Sequence, residues 1–456
     1  MATSADFTEF QILHPGSVYR IGDILSVMIR AKDMRNREKP RGGDFFRAKI
    51  YTERTKSSAP GRVRDFGNGT YGVTFRLLWE GDVTVSVRMV HSSSAVRVIK
   101  RLREDFPTNR TKRRYVSGNQ SSDSWCSSNI HDLRSPEGGG ICDFSDRQVC
   151  YASLEWYCER PWNVSCDQSV YHGFDGFRRD LRAINADIKI KKGENSTISV
   201  VGRQDGYRTE QLPRCTPGLP APLPSGYYHN GQWVSCVCQG PRLSSALDWK
   251  KCLQNSVLDF LGDSTTRQWF YFLTKYIQMK SKKSPYFLSR TAGPLYANEE
   301  EWNITSRYQS HGPPINTFAW VNASVLSNLV RIIDKIYETN HVVVVTVGFH
   351  FNSQPLGDYV TCVRAIRAAI LRLLDRQPNT TVVIKPPNTA GSHILNVDDW
   401  PSFQMYLILK EMFTGLPVVF VDAWEMTDCQ FGKDTTHPSD DVVREEMLYM
   451  LSYICK

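Results

Sequence analysis

From Ser256 to Ile454 the chain alternates between short apolar runs of strand character and longer stretches with apolar residues at helical spacing. That alternation leaves few folds open. Ser256–Leu261 reads as a strand and Thr265–Met279 as the helix after it. Ala323–Asn340 reads as an amphipathic helix, His341–Val347 as a buried strand and Tyr359–Arg376 as a helix. Thr381–Lys385, Trp400–Phe413, Val418–Asp422 and Ser439–Ile454 continue the pattern as strand, helix, strand, helix. Such a series builds βαβ units, so residues 247–456 are expected to form a three-layer α/β domain with a largely parallel sheet. The aliphatic run Val342–Val345 is resumed at Val347. It suits a buried strand and is far shorter than the roughly 20 residues that cross a bilayer as a helix.

The first 105 residues follow a different rule. Ile24–Ile29 is short and β-rich, and Thr70–Phe75 and Val83–Val90 alternate apolar and polar positions. Asn68-Gly69 and Gly81-Asp82 supply turn chemistry between them. Several short strands within about 100 residues suggest an immunoglobulin-like β-sandwich, here with no cysteine to bridge its sheets. Residues 106–246 form a third region, a cysteine-rich connector. It holds Gly138-Gly139-Gly140, the proline-rich Pro213–Pro224 and, at Ile184–Val201, an expected strand pair.

The compartment is written in the cysteines and sequons. Of twelve cysteines, nine lie between Cys126 and Cys252, and three follow at Cys362, Cys429 and Cys455. Both groups are odd, so if every cysteine pairs, at least one bridge joins them. Eight Asn-X-Ser/Thr sequons stand at Asn68, Asn109, Asn119, Asn163, Asn195, Asn303, Asn322 and Asn379. Together these point to the secretory pathway, in the Golgi lumen or beyond the cell. The opening Met1-Ala-Thr-Ser-Ala5 carries no apolar leader, so the signal or anchor segment of such a protein is expected to lie outside this chain. Cys236-Val237-Cys238 lacks the second ligand pair of a zinc site, and no metal is expected.

The formal charge is +9. Nucleic acid is not the expected partner in this compartment; acidic glycans and anionic donors are. The densest basic run, Lys100–Arg114, reads as a solvated linker, and Arg110-Thr111-Lys112-Arg113 within it resembles a dibasic processing site.

The chemistry concentrates at two βα junctions. Gly262-Asp263-Ser264 ends the first strand and opens a helix, on the sheet edge where parallel α/β proteins place their sites. Helix-start N–H groups there face a substrate and suit a developing oxyanion. Ser264 also fits the role of helix N-cap. A serine needs a base, and Asp434-Thr-Thr-His437 supplies one at the last junction. His437 would take the Ser264 proton, and Asp434 would orient the imidazole. Either motif alone is weak; the two at the first and last junctions of one sheet make a site. Gly348, His350 and Asn352 follow the central strand and are candidates to complete the oxyanion hole, although a structurally satisfied His350 fits equally well. Arg267, one turn after Ser264, fits either an acidic substrate group or a surface ion pair. Asp263 reads as a structural carboxylate.

Leu261–Trp269 and Lys433–Pro438 resemble the GDS and DxxH signatures of PC-esterase domains. Gly42–Ala48 and Gly67–Tyr71 resemble the other half of the neurexophilin and PC-esterase (NXPE) family, so the likeness spans nearly the whole chain. The resemblance implies an SGNH-hydrolase-like catalytic domain with Ser264, Asp434 and His437 as its triad. It also implies a secretory-pathway O-acetyltransferase that moves acetyl, from a donor such as acetyl-CoA, to a glycan or glycoprotein hydroxyl, with sialic acid among the acceptors. Two alternatives stay open: a carbohydrate O-acetylesterase, and a secreted glycoprotein that binds a cell-surface receptor through its neurexophilin-like module without catalysis.

Overall fold

The computed structural model describes residues 2–15, 18–105, 111–133, 139–145, 150, 155–174, 185–190, 192–194, 196–202, 212–282, 292–315, 317, 320–391 and 397–455. Strand formation in the N-terminal part follows the alternation. Ile24–Arg30, Thr70–Arg76 and Gly81–His91 each turn every second side chain inward, and Val27, Ile29, Tyr71, Val73, Val85 and Val87 meet in one core. Two sheets enclose it. One runs Lys192–Glu194, Glu9–Ile12, Ile24–Arg30, Thr70–Arg76, Arg62–Asp65. The other runs Gln232–Ser235, Gly226–His229, Ser57–Pro60, Phe45–Thr52, Gly81–His91, Thr197–Val201, Tyr19–Arg20, and Asn185–Lys189 also pairs with Gly81–His91.

The boundaries expected at 105 and 246 are therefore redrawn. The strands expected to pair with each other within Ile184–Val201 instead join strands of the first 100 residues. Unpaired sheet edges offer N–H and C=O groups that a later strand can satisfy. The basic run also departs from expectation. It holds a helix, Ser93–Glu104, capped by Ser92, and a strand, Thr111–Ser117, paired on both sides. Arg103 and Arg113 are 1% and 0% exposed. A processing protease needs an exposed, extended segment, so the dibasic reading at Arg113 is corrected.

What remains of the connector is a six-stranded sheet ordered Ile141–Asp143, Tyr157–Glu159, Gln120–Ser127, Thr111–Ser117, Ser169–Phe174, Val321–Asn322. Its small core is stapled by Cys126–Cys158 and Cys142–Cys166. The C-terminal sheet has seven strands: Lys280–Lys282, Leu295–Glu299, Ile304–Ser310, Val257–Gly262, His341–Val345, Thr381–Ile384, Val419–Phe420. The last five are parallel and the first two antiparallel. Helices Leu356–Arg376 and Asp399–Phe413 cover one face, and Ser264–Tyr276 and Asp440–Ile454 the other.

The long helix expected at Ala323–Asn340 is broken into a 3-10 turn, Ala323–Val325, and a short helix, Leu329–Asp334. Asn322 and Asn328 each cap a new start, and Arg376 donates to the carbonyls of Ile333 and Ile336, which ends the helix early. Two bridges, Cys150–Cys362 and Cys252–Cys455, join the two cysteine groups, and Cys215–Cys238 closes a local loop. Cys236 and Cys429 are unbridged. Five disulfides fit an oxidising compartment. Among the described residues no helix is long and apolar enough to cross a membrane.

The larger N-terminal sheet rests on the C-terminal domain. Lys49 Nζ donates to the Gln430 carbonyl (2.7 Å), and Ser225 donates twice to the Glu425 carboxylate (both 2.7 Å). His91 and Asp398, both fully buried, meet at 2.7 Å.

Candidate active site at the carboxyl edge of the parallel sheet

The site begins where the Val257–Gly262 strand ends. Gly262 has φ +147°, and a Cβ there would stand 2.2 Å from the Thr346 carbonyl oxygen. Only glycine lets the first and central strands come that close before the turn. The next residue, Asp263, is the N-cap of the Ser264–Tyr276 helix: its Oδ1 accepts from the Thr265 N–H (2.8 Å) and the Thr265 hydroxyl (2.7 Å). Ser264 is thereby relieved of the capping role that its sequence position also allowed. It stands as the first helical residue, half-buried, with its hydroxyl turned to the cleft.

Across the cleft, His437 Nε2 lies 2.8 Å from Ser264 Oγ. Several contacts within the α/β domain hold the segment carrying His437. Gln268, one turn after Ser264, donates to the Pro438 carbonyl (2.7 Å), and Asn388 donates to the Thr436 carbonyl (3.0 Å). Gly391, at φ +56°, packs so closely on Asp434 that a Cβ would stand 2.6 Å from its side chain. His437 is exposed at the rim as a residue, yet protein crowds its ring. Loss of water is the main cause that holds its pKa below the ordinary histidine value; Arg267 and Lys385 act in the same direction and Asp263 opposes them. A neutral imidazole is the form a general base requires.

The expected third member is placed differently. Asp434 directs both carboxylate oxygens at Arg47, at 2.9 and 3.3 Å, and Oδ1 accepts from the Thr389 hydroxyl at 3.3 Å. No hydrogen bond joins it to His437 among the described residues. Burial works to raise the Asp434 pKa, but Arg47, Arg88 and Lys49 outweigh it and hold the carboxyl below its usual value. Among the described residues, the acid that acts on His437 electrostatically is Asp263, which is buried with no hydrogen-bond partner for Oδ2.

Of the oxyanion candidates, Asn352 is corrected. Its amide donates to the Asp398 carbonyl and to Ser402 Oγ, both at 3.0 Å, so its side chain is spent on the Asp399–Phe413 helix. His350 does border the site. Its ring lies 5.1 Å from that of His311, and burial first, then His311, pushes its pKa down to about 3, with Arg267 and His437 adding to the effect. It is therefore neutral near pH 7. Gly348 heads the short turn Phe349–Phe351 that carries His350. Arg267 is half-buried and acts on both His350 and His437. Among the described residues no group of three or more His, Cys, Asp or Glu could hold a metal ion.

Five sequon asparagines, Asn68, Asn119, Asn163, Asn303 and Asn379, are exposed, whereas Asn322 is half-buried. Asn109 and Asn195 lie outside the described residues.

Residues 233–455 match the family model described as NXPE family member 4-like, C-terminal domain, and residues 6–193 match the Neurexophilin model. The chain belongs to the neurexophilin and PC-esterase (NXPE) family. Among solved structures, this NXPE-family chain is similar to an acetylxylan esterase from Geobacillus stearothermophilus at 12% identity, over 44% of this chain and 94% of that one, with a TM-score of 0.26. It is also similar to a GDSL-like lipase from Parabacteroides merdae (12%, 47% and 99%, 0.25). A third is a carbohydrate esterase family 2 enzyme with its carbohydrate binding domain from Corynascus thermopiles (10%, 89% and 96%, 0.26). At those TM-scores the likenesses locate neither chemistry nor substrate in the NXPE-family chain.

Sequence reasoning passed over three residues near this site. Lys385 is fully buried beneath the Ser264 helix, with Nζ 2.9 Å from Asn388 Oδ1 and 3.4 Å from Thr265 Oγ1. Its signal was there to read, since a lysine directly after Val-Val-Ile ends a buried strand at the carboxyl edge. Glu446 accepts from the Trp269 indole at 2.6 Å and anchors the same helix. Arg47 lies within the Gly42–Ala48 stretch that marks the family, where nothing in the sequence alone pairs it with residues nearly 400 positions on.

Proposed function

We propose that this chain is a glycan O-acetyltransferase of the secretory pathway that works through an acyl-enzyme on Ser264. The observation that carries this reading is the 2.8 Å contact between Ser264 Oγ and His437 Nε2 at the carboxyl edge of a parallel sheet. His437 takes the hydroxyl proton as Ser264 Oγ bonds to the acetyl carbon of a thioester donor such as acetyl-CoA. The C–S bond breaks, and the thiol leaves with the proton returned by His437. A sugar hydroxyl then gives its proton to His437 and attacks the acetyl-serine. The O-acetyl sugar departs, and Ser264 regains its proton. The N–H groups of the first helical turn lie beside the reacting carbonyl and favour its negative charge. When water takes the sugar's place, the same intermediate yields acetate, which is the esterase reaction.

The site's surroundings suit an anionic acceptor: Arg267 lies near enough to His437 to lower its pKa, and the chain is basic at +9. Sialylated glycans are the acceptor class we assign. An active-site-directed fluorophosphonate should label the folded, glycosylated protein and fail to label Ser264→Ala. With labelled acetyl-CoA and a sialylated glycan, the wild type should form O-acetyl sugar, and Ser264→Ala or His437→Ala should lower turnover by about 10⁴-fold. Absence of labelling in folded wild-type protein overturns the enzyme reading. Labelling with release of acetate alone reassigns the chain as an esterase.

A further inference from the structure

Arg47 belongs to the N-terminal strand Phe45–Thr52, yet its guanidinium is buried in the C-terminal domain. There it meets three carboxylates: Asp428 through Nε at 2.5 Å, Asp399 through Nη1 at 2.8 Å, and Asp434 through Nη1 and Nη2 at 2.9 and 3.3 Å. The three come from separate places: Asp399 from the Asp399–Phe413 helix, Asp428 from the end of the Ala423–Asp428 helix, and Asp434 from the segment that ends in His437. A planar fork with five donors can hold three acids at once. The Arg47 side chain is 6% exposed and makes four hydrogen bonds to these carboxylates, so it serves the fold around them and is no substrate ligand.

We infer that Arg47 is a positioning residue that sets the Asp434–His437 segment against Ser264, so that the catalytic unit is completed by the N-terminal domain. The inference rests on the acyl-transfer reading above. The segment has three anchors inside its own domain, at Gln268, Asn388 and Thr389. Arg47 is its only charged anchor by hydrogen bond among the described residues. Arg88 stands further off, at 3.8 Å from Asp434 and partly exposed. Without Arg47, three acids would crowd one buried site with only Lys49 and Arg88 to balance them, and the segment would move to separate them. Asp399 already shows this pressure: burial, with Asp434 and Asp398 beside it, pushes its pKa up to about 6 even with Arg47 in place. The groups that face Asp434 are Arg47 and Lys49 from one strand, Arg88 from Gly81–His91, and Asp399 and Asp428 from the two helices.

The test is the rate of fluorophosphonate labelling of the full chain as a function of pH, in wild type, Arg47→Met and Arg47→Lys, with thermal unfolding alongside. Arg47→Met is expected to label at least tenfold more slowly, with the acid limb of its profile moved to higher pH. Loss of the guanidinium raises the Asp434 pKa, so the carboxylate protonates sooner as pH falls. Arg47→Lys, which keeps the charge but not the fork, should fall between. If Arg47→Met does not fold, the Arg47→Lys profile decides. A folded variant with a lower melting temperature but an unchanged rate and pH profile overturns the inference, since a purely structural residue would behave that way. Failure of the acyl-transfer reading looks different: the wild type itself would not label.

Discussion

Ser264 owes its free hydroxyl to its neighbours on the chain. Asp263 takes the cap and Gly262 makes the turn, so the serine is left facing the cleft with the first-turn N–H groups. Gly262→Ala should show how tight this is. Its Cβ would meet backbone at Thr346, which cannot swing aside, at a φ that alanine resists; a loss of at least about 2 kcal/mol in denaturant unfolding is expected. The base has a pH signature of its own. Because the His437 pKa lies below 6.5, labelling should rise with pH to half its maximum below that value, as the imidazole loses its proton. Asp263→Asn keeps an oxygen for the cap but removes the carboxylate that favours the charged ring. The half-maximum of labelling should therefore move to still lower pH; a shift upward would show that Asp263 does not act on His437. Much at this scale was legible. Gly262, Asp263, Ser264 and His437 stand where their spacing placed them, because motifs at βα junctions are local. Asp434 was only half legible, since an Asp-x-x-His spacing permits contact with the histidine but does not compel it against a guanidinium arriving from another domain.

The alternation of strands and helices from Val257 onward was readable because each element buries one face on a shared sheet, and that need is written in the periodicity of each segment. The strands at Lys280–Lys282, Leu295–Glu299 and Ile304–Ser310 were not readable. Ile304–Ser310 alternates buried and half-buried residues such as Arg307, whose charge is matched by Asp259 at 2.5 Å, so no apolar run betrays it. The helix expected at Ala323–Asn340 failed for a different reason. Its apolar pattern is real, but Asn322 and Asn328 offer the backbone local caps, and Arg376 from a distant helix takes the carbonyls that would have continued it. The Ser264 helix also positions the base: Gln268 reaches Pro438, one residue past His437. Gln268→Ala should slow fluorophosphonate labelling about tenfold, an increment of about 1.4 kcal/mol at the transition state, while the melting temperature stays within a few degrees. A rate equal to wild type would show that Asn388 and Arg47 hold the segment without it.

At the scale of the molecule, the stapled connector is joined to the α/β domain by the Cys150–Cys362 bridge, and the N-terminal sandwich rests on that domain by non-covalent contacts. Non-reducing peptide mapping should recover Cys150–Cys362 and Cys252–Cys455 as linked peptides; finding all four of those thiols free would refute the arrangement. Parity would demand a bridge between the two cysteine groups only if every cysteine paired, and Cys236 and Cys429, one in each group, are unbridged. The bridges that do join the groups depend on which loops the sheets bring together, which the sequence could not choose. Domain boundaries were the least legible feature, since composition shifts near 105 while strand pairing does not respect that shift. This has a consequence for the order of synthesis. Both N-terminal sheets wait for strands that emerge late, Lys192–Glu194 and Thr197–Val201, then Gly226–His229 and Gln232–Ser235. The N-terminal domain is therefore not closed until Ser235, about half-way along the chain, has been made. Its open edges stay exposed through that interval, and Asn68, beside the still-unpaired sandwich, is presented to the glycosylation machinery before the fold around it is finished.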